Sequence, residues 1–191
     1  MTQAYVLIVN SCQNEDLLTK REFVWPIQRA LHTPSKVIHI SKLKKADVLA
    51  ANAVIFSGCQ LKDNGFVKLL PKLKWLRESV TPMLGICAGH QLLGMLYGGK
   101  ISHAEKPMIG WTALRKKASH PLTHHLGKSF SAYALHGNLI SLPKGFKILA
   151  SSAHNPNEMM VHSKKKIVGV EFHPEVRNER IIQKFVEWAM E

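Results

Sequence analysis

In the first half of the chain, apolar residues come in short unbroken runs, separated by stretches where they recur every three or four positions. Unbroken runs of four to eight suit strands buried on both faces, and the three-to-four spacing suits helices with one apolar side. Tyr5 to Val9, Val37 to Ile40, Ala53 to Phe56 and Met83 to Ile86 therefore read as strands. Arg21 to Leu31 and Leu43 to Ala51 read as helices between them, with Pro26 at a first turn or a kink. Phe66 to Arg77 puts Leu69, Leu70, Leu73 and Leu76 on one helical face, although Pro71 interrupts it. Ala88 to Tyr97 is a helix that Gly98-Gly99 should end. This alternation predicts βαβ units, an α/β fold and a mostly parallel central sheet flanked by helices.

Past Lys100 the helical spacing stops. Ile109 to Leu114, Ser129 to Leu135, Phe146 to Ser151, Glu158 to His162 and Ile167 to Phe172 read as strands, which predicts mixed or antiparallel additions to the sheet. Glu179 to Met190 reads as a closing helix with Ile182, Phe185, Val186 and Ala189 on one face. Without an internal repeat or linker, residues 1–191 are expected to form a single domain, large enough for a core without staples.

Composition narrows the class. At 46% hydrophobic and 20% charged residues the chain matches globular proteins, which argues against a disordered or fibrous class. Cys12, Cys59 and Cys87 are an odd number at irregular spacing, so a cytoplasmic setting fits better than a secreted disulfide framework. The apolar run near the amino end lacks a basic leader, and no run approaches the roughly 20 residues of a membrane span. The net charge of +13 raises the question of nucleic acid. However, the lysines and arginines lie in small groups (42–45, 68–74, 115–117 and 164–166) with little aromatic interleaving. A solvated basic surface, or a face for an acidic protein, fits better.

The candidate chemistry centres on Gly85-Ile86-Cys87-Ala88-Gly89, between a strand and a helix. A nucleophile flanked by glycines at such a junction forms an elbow that lifts one side chain above the sheet edge. A helix terminus contributes about 0.3–1 kcal/mol, too little to ionise an ordinary thiol at neutral pH, so a charged partner is required. Among eleven histidines, His173 follows an apolar strand and precedes Pro174-Glu175, at the strand end where α/β sheets assemble their sites. Glu175 can hold the ring's other nitrogen and favour its charged form. His120, His124 and His125 lie in a polar segment without Cys or carboxylates at ligand spacing, so neither metal nor cofactor is expected.

These residues resemble the class I glutamine amidotransferases. Gly85 to Gln91 resembles that family's nucleophile elbow, Ala132 to Asn138 its substrate loop, and Val168 to Glu175 its His/Glu segment. The resemblance spans essentially the whole chain, and Leu142 to Ser152 resembles the GMP synthetase branch of the family. It implies a flavodoxin-like fold and a glutaminase reaction, with Cys87 as nucleophile, His173 as base and acid, and Glu175 as orienter. Gln91 would contact the glutamine side chain, with main-chain groups of Leu135 and His136 receiving its α-amino and carboxylate ends. The oxyanion would be held by backbone N–H groups of Ala88 and the Gly58-Cys59 loop.

Two departures stand out. The loop reads Ser57-Gly58-Cys59-Gln60 where the family has Ser-Gly-Gly-Pro, and Asn138 stands where the synthetase branch has Asp. If Cys59 had to enter the left-handed region it would be strained, and the oxyanion N–H would be turned away until a partner docks. If it is extended, the hole is already formed. No P-loop pattern is present, so a separate ATP-dependent synthetase subunit is the implied partner, with glutamine the small-molecule substrate. The same triad also suits a stand-alone γ-glutamyl hydrolase, and the scaffold alone would suit a non-catalytic regulatory protein.

Overall fold

The computed structural model describes residues 4–191. β1 (Val6–Asn10) leads through one helical turn, α1 (Leu17–Thr19), and a π-helical turn (Lys20–Val24) into α2 (Trp25–Ala30). The continuous helix expected over 21–31 is therefore divided. Proline has no N–H to bond the preceding turn, so Pro26 is accommodated in the first turn of α2 with the wider π turn before it. β2 (Ser35–His39), α3 (Lys45–Ala50) and β3 (Ala53–Phe56) follow as the pattern predicted.

The helix expected over 66–77 is reduced to one α turn, α4 (Leu70–Leu73), between 3-10 turns at Gly65–Leu69 and Lys74–Glu78. Pro71 again cannot sit in a helix interior. Leu73 and Leu76 still reach the core, while Leu69 and Leu70 are only partly covered. β4 (Met83–Ile86) and α5 (Ala88–Leu96) then form the predicted strand-to-helix junction, and Gly98, at φ 91°, ends the helix.

β5 (Ile101–Lys116) and β6 (Ser129–Ile140) form a hairpin longer than the apolar pattern indicated. Its first half, Ser102 to Pro107, is largely polar and exposed, and the register shifts between His103 and Met108, so no two-residue alternation marks it. β7 (Phe146–Ser151), β8 (Met159–His162), β9 (Ile167–Val170), α6 (Pro174–Arg177) and α7 (Glu179–Met190) complete the chain.

The nine strands of the described residues join one sheet in the order β2-β1-β3-β4-β9-β8-β7-β5-β6. The first five are mutually parallel, and β8, β7, β5 and β6 add in antiparallel fashion. The two-residue side-chain period divides each central strand between two cores. Val6, Ile8, Ala53, Ile55, Leu84 and Ile86 pack toward α2 and α7, with Phe172 and Phe185. Leu7, Val9, Val54, Phe56 and Met83 pack toward α5, with Leu92, Leu93 and Phe66. Among the described residues no helix is long and apolar enough to cross a membrane.

Candidate active site

Cys87 links β4 to α5 with φ 48° and ψ −104°, the only non-glycine residue at positive φ among the described residues. An L-residue there is strained by about 1–3 kcal/mol, and the surroundings hold it in place. The Cys87 N–H donates to Val170 O at 2.8 Å, tying the elbow to the neighbouring strand. A Cβ on Gly89 would lie 2.5 Å from Phe56 O, and one on Gly85 would strike the Gly89 backbone. Both glycines are required by close backbone passage, as the motif predicted.

β9 lies beside β4 with Gly85 opposite Gly169 and Ile86 opposite Val170, so the two chains leave the sheet side by side. His173 follows β9, and its N–H donates to Tyr133 O at 2.8 Å. Its Nδ1 lies 2.7 Å from Glu175 Oε1, and the ring packs 5.9 Å from that of Phe23. All three are buried, with exposures of 4% for Cys87, 2% for His173 and 5% for Glu175. Burial alone would discourage the imidazolium. The Glu175 charge, with contacts to Cys87 and Glu175, outweighs it and raises His173 well above the ordinary histidine range. A Cβ on Gly58 would lie 2.5 Å from His173 Cε1 and 3.4 Å from Cys87 Cβ, so only glycine lets this loop cross the pair.

The Gly58 carbonyl accepts from Ser57 Oγ at 2.9 Å and from Cys12 Sγ at 3.6 Å. In a trans peptide the following N–H points the opposite way, so that of Cys59 is directed away from Cys12. Cys59 is not among the residues at positive φ, and its Sγ donates to Asp63 O at 3.2 Å. The left-handed strain considered from sequence is absent, and the loop is pinned in a relaxed conformation. Ala88 opens α5 opposite, where first-turn N–H groups have no intrahelical acceptor.

Cys59, Cys87, Ala88, Gln91, Leu135 and His136 line one narrow cleft, with Gln60, Leu61 and Asn138 completing its walls. Leu135 O lies 3.6 Å from Cys87 Sγ. The free space in the cleft is about that needed to admit one water. Cys12 and Cys59 are also buried, and burial pushes their thiols up, that of Cys12 to about 12. No group of three His, Cys, Asp or Glu side chains among the described residues could hold a metal.

Several residues around the site were not singled out from sequence. Phe23 backs His173. Beneath α5, Glu171, Glu158 and His90 are fully buried. Burial, reinforced by Cys87, raises the Glu171 carboxyl well above its ordinary range, while burial lowers His90 to about 3. On β6, the inward positions Ala132, Ala134, His136, Asn138 and Ile140 include two polar residues where alternation calls for apolar ones. His136 and Asn138 were already named from the substrate-loop motif and Glu171 lies in the His/Glu segment on an apolar run, whereas nothing in the sequence distinguished Glu158 from a surface acid.

An elbow cysteine beside a His-Glu pair, on a flavodoxin-like half-sheet, defines a cysteine amidohydrolase class. The family model of the class-I glutamine amidotransferases matches residues 24–189, and the chain belongs to that family. A glutamine-hydrolysing GMP synthase subunit from Sulfurisphaera tokodaii is 37% identical over 173 residues, covering 84% of this chain and 85% of that protein. Its counterpart from Saccharolobus solfataricus is 33% identical over 149 residues, covering 76% and 77%. The glutamine-hydrolysing GMP synthase of Thermomicrobium roseum is 39% identical over 103 residues, 53% of this chain but only 19% of that longer protein. In fold, the chain superposes on a candidate GMP synthase subunit from Thermoplasma acidophilum with TM-score 0.85 at 22% identity, covering 99% and 95%.

Proposed function

We propose that this glutamine amidotransferase, acting as one domain over residues 1–191, uses Cys87, His173 and Glu175 to release ammonia from glutamine for a separate GMP-forming subunit. The observation that carries the reading is the His173-Glu175 bond at 2.7 Å, at the end of the strand beside the Cys87 elbow. Cys87 Sγ attacks the carboxamide carbon, and the Ala88 and Cys59 N–H groups receive the developing oxyanion. His173 gives its proton to the leaving nitrogen, ammonia departs, and a γ-glutamyl thioester remains. His173 then takes a proton from water, the hydroxide displaces Cys87, and glutamate is released. Gln91 and the main chain at Leu135 and His136 hold the substrate.

The partner's docking surface adjoins the cleft. Trp111 and Ile109 are 57% and 63% exposed on β5, opposite Tyr133 and Leu135 of β6. Val176, next to Glu175, is 48% exposed, and Arg177 lies 5.5 Å above the Trp111 ring. Exposed Trp and Arg beside a catalytic mouth are the residue types that anchor interfaces. The chain's excess of positive charge selects an acidic face on the synthetase.

Treatment with a diazoketone analogue of glutamine tests the site. Covalent labelling at Cys87 alone is expected, because the other two thiols are held protonated by burial. Labelling at Cys12 or Cys59 with Cys87 untouched would sink the assignment. Rapid turnover of γ-glutamyl peptides without a partner would instead identify a stand-alone hydrolase.

A further inference from the structure

Gln91 projects from the first turn of α5 into the cleft wall, and its carboxamide is held at both ends. Its Nε2 donates to Glu171 Oε1 at 2.6 Å, and its Oε1 accepts from Asn138 Nδ2 at 3.3 Å. Asn138 Nδ2 also donates to Asn64 Oδ1 at 2.8 Å, while His103 Nδ1 lies 2.9 Å from Asn138 Oδ1 and donates to it. The hydrogen bonds therefore run in one direction, from His103 through Asn138 and Gln91 to Glu171.

The chemistry of the two ends fixes that direction. Glu171 Oε1 accepts from Gln91 Nε2, so Gln91 turns its NH₂ toward Glu171. Glu171 Oε2 lies 3.4 Å from His90 Nε2. Neither of these two atoms is hydrogen-bonded, so a proton on the carboxyl is accommodated at Oε2 and leaves Oε1 to accept from Gln91. With its NH₂ committed to the interior, Gln91 presents its oxygen to position 138, where a donor is required. Asn supplies one. The Asp of the resembling branch cannot, and in this chain it would set a buried carboxylate against the Gln91 carbonyl, with Glu171 blocking a flip of the amide.

We propose that Asn138 and Glu171 are a matched pair of positioning residues that fixes the Gln91 carboxamide with its oxygen toward the cleft and its NH₂ away from it. An oxygen facing the cleft selects a hydrogen-bond donor on the substrate. The NH₂ of a glutamine carboxamide is such a donor, and in this respect the inference rests on the function proposed above. The departure at position 138 is then the counterpart of the acid at 171 and leaves the catalytic geometry intact.

The test compares the parent with Asn138→Asp, Glu171→Gln and the double substitution, by melting temperature and by glutaminase kinetics well below the lowest melting point. Asn138→Asp alone should lower the melting temperature and reduce kcat/KM about tenfold. Glu171→Gln alone should cost little, since an amide at 171 can still offer its oxygen to Gln91. In the double variant Gln91 is free to turn, so the melting temperature should return to near that of the parent, whereas kcat/KM should stay about tenfold down because the Gln91 oxygen no longer faces the cleft. An Asn138→Asp loss of melting temperature that is absent, or equally large with Gln at 171, overturns the pairing. The melting comparison needs no turnover, so it decides the pairing even if the chain hydrolyses no glutamine. Conversely, an active parent whose double variant shows no recovery of melting temperature removes the pair and leaves the proposed function standing.

Discussion

Glu158 shows what burial costs at a single position. It has no exposed surface, and neither carboxylate oxygen has a hydrogen-bond partner at full bonding geometry. Burial raises its carboxyl from the ordinary 4.5 to about 7, against a smaller opposing effect of Ser152. An acid whose folded pKa is raised binds its proton more tightly when folded. Its contribution is therefore whole below about pH 4.5 and is lost as pH rises through about 7. The difference corresponds to about 3 kcal/mol. Glu158→Gln does not titrate, so its melting temperature should exceed that of the parent at pH 8 by clearly more than at pH 5. A gap independent of pH would contradict the assignment. Residues of this kind are where the sequence was least informative: Cys87, His173 and Glu175 sit in motifs with fixed spacing, whereas Glu158 and Glu171 acquire their character from surroundings assembled by distant strands.

Elements were legible where side-chain period and backbone chemistry agreed. β3, β4 and α7 begin and end where the apolar pattern placed them. The segments misjudged, around Pro26 and Pro71 and along the first half of β5, are those where a missing N–H or an exposed polar strand overrides the pattern. The junction of β4 and α5 is the most constrained element. Gly89 faces Phe56 O, and Gly169 on β9 faces the His90 ring, where an added Cβ would collide with Nδ1. Gly89→Ala is expected to destabilise the protein by about 2–4 kcal/mol, because the obstacle is backbone that cannot rotate aside. Thermal unfolding measures the loss, and labelling of Cys87 should slow as the elbow shifts. Unchanged stability would mean that α5 can lift from β3 without penalty.

At the scale of the molecule, a basic chain with an exposed tryptophan beside the candidate site is expected, under the function proposed above, to bind a synthetase partner through both charge and apolar contact. Association with the synthetase subunit, followed by calorimetry, should weaken as salt rises from about 50 to 300 mM. Trp111→Ala should weaken it at least tenfold while leaving the fold intact, as removal of a buried aromatic anchor does. Salt-insensitive binding would remove the electrostatic half of this account, and full affinity without the indole would move the interface elsewhere.

The sheet order also has a consequence for how the protein is made. β9 is last of the nine strands in sequence, yet it lies between β4 and β8 near the middle of the sheet. As the chain leaves the ribosome, amino end first, β4 is synthesised more than 80 residues before β9 and waits with one side open. During that interval its apolar Met83-Leu84-Gly85-Ile86 edge is a template for any other extended chain. His173 and Glu175 follow β9, so a translation product that stops before the end of β9 holds Cys87 without them. The nascent chain is at its most adhesive just before β9 emerges, and chaperone demand should peak in that interval.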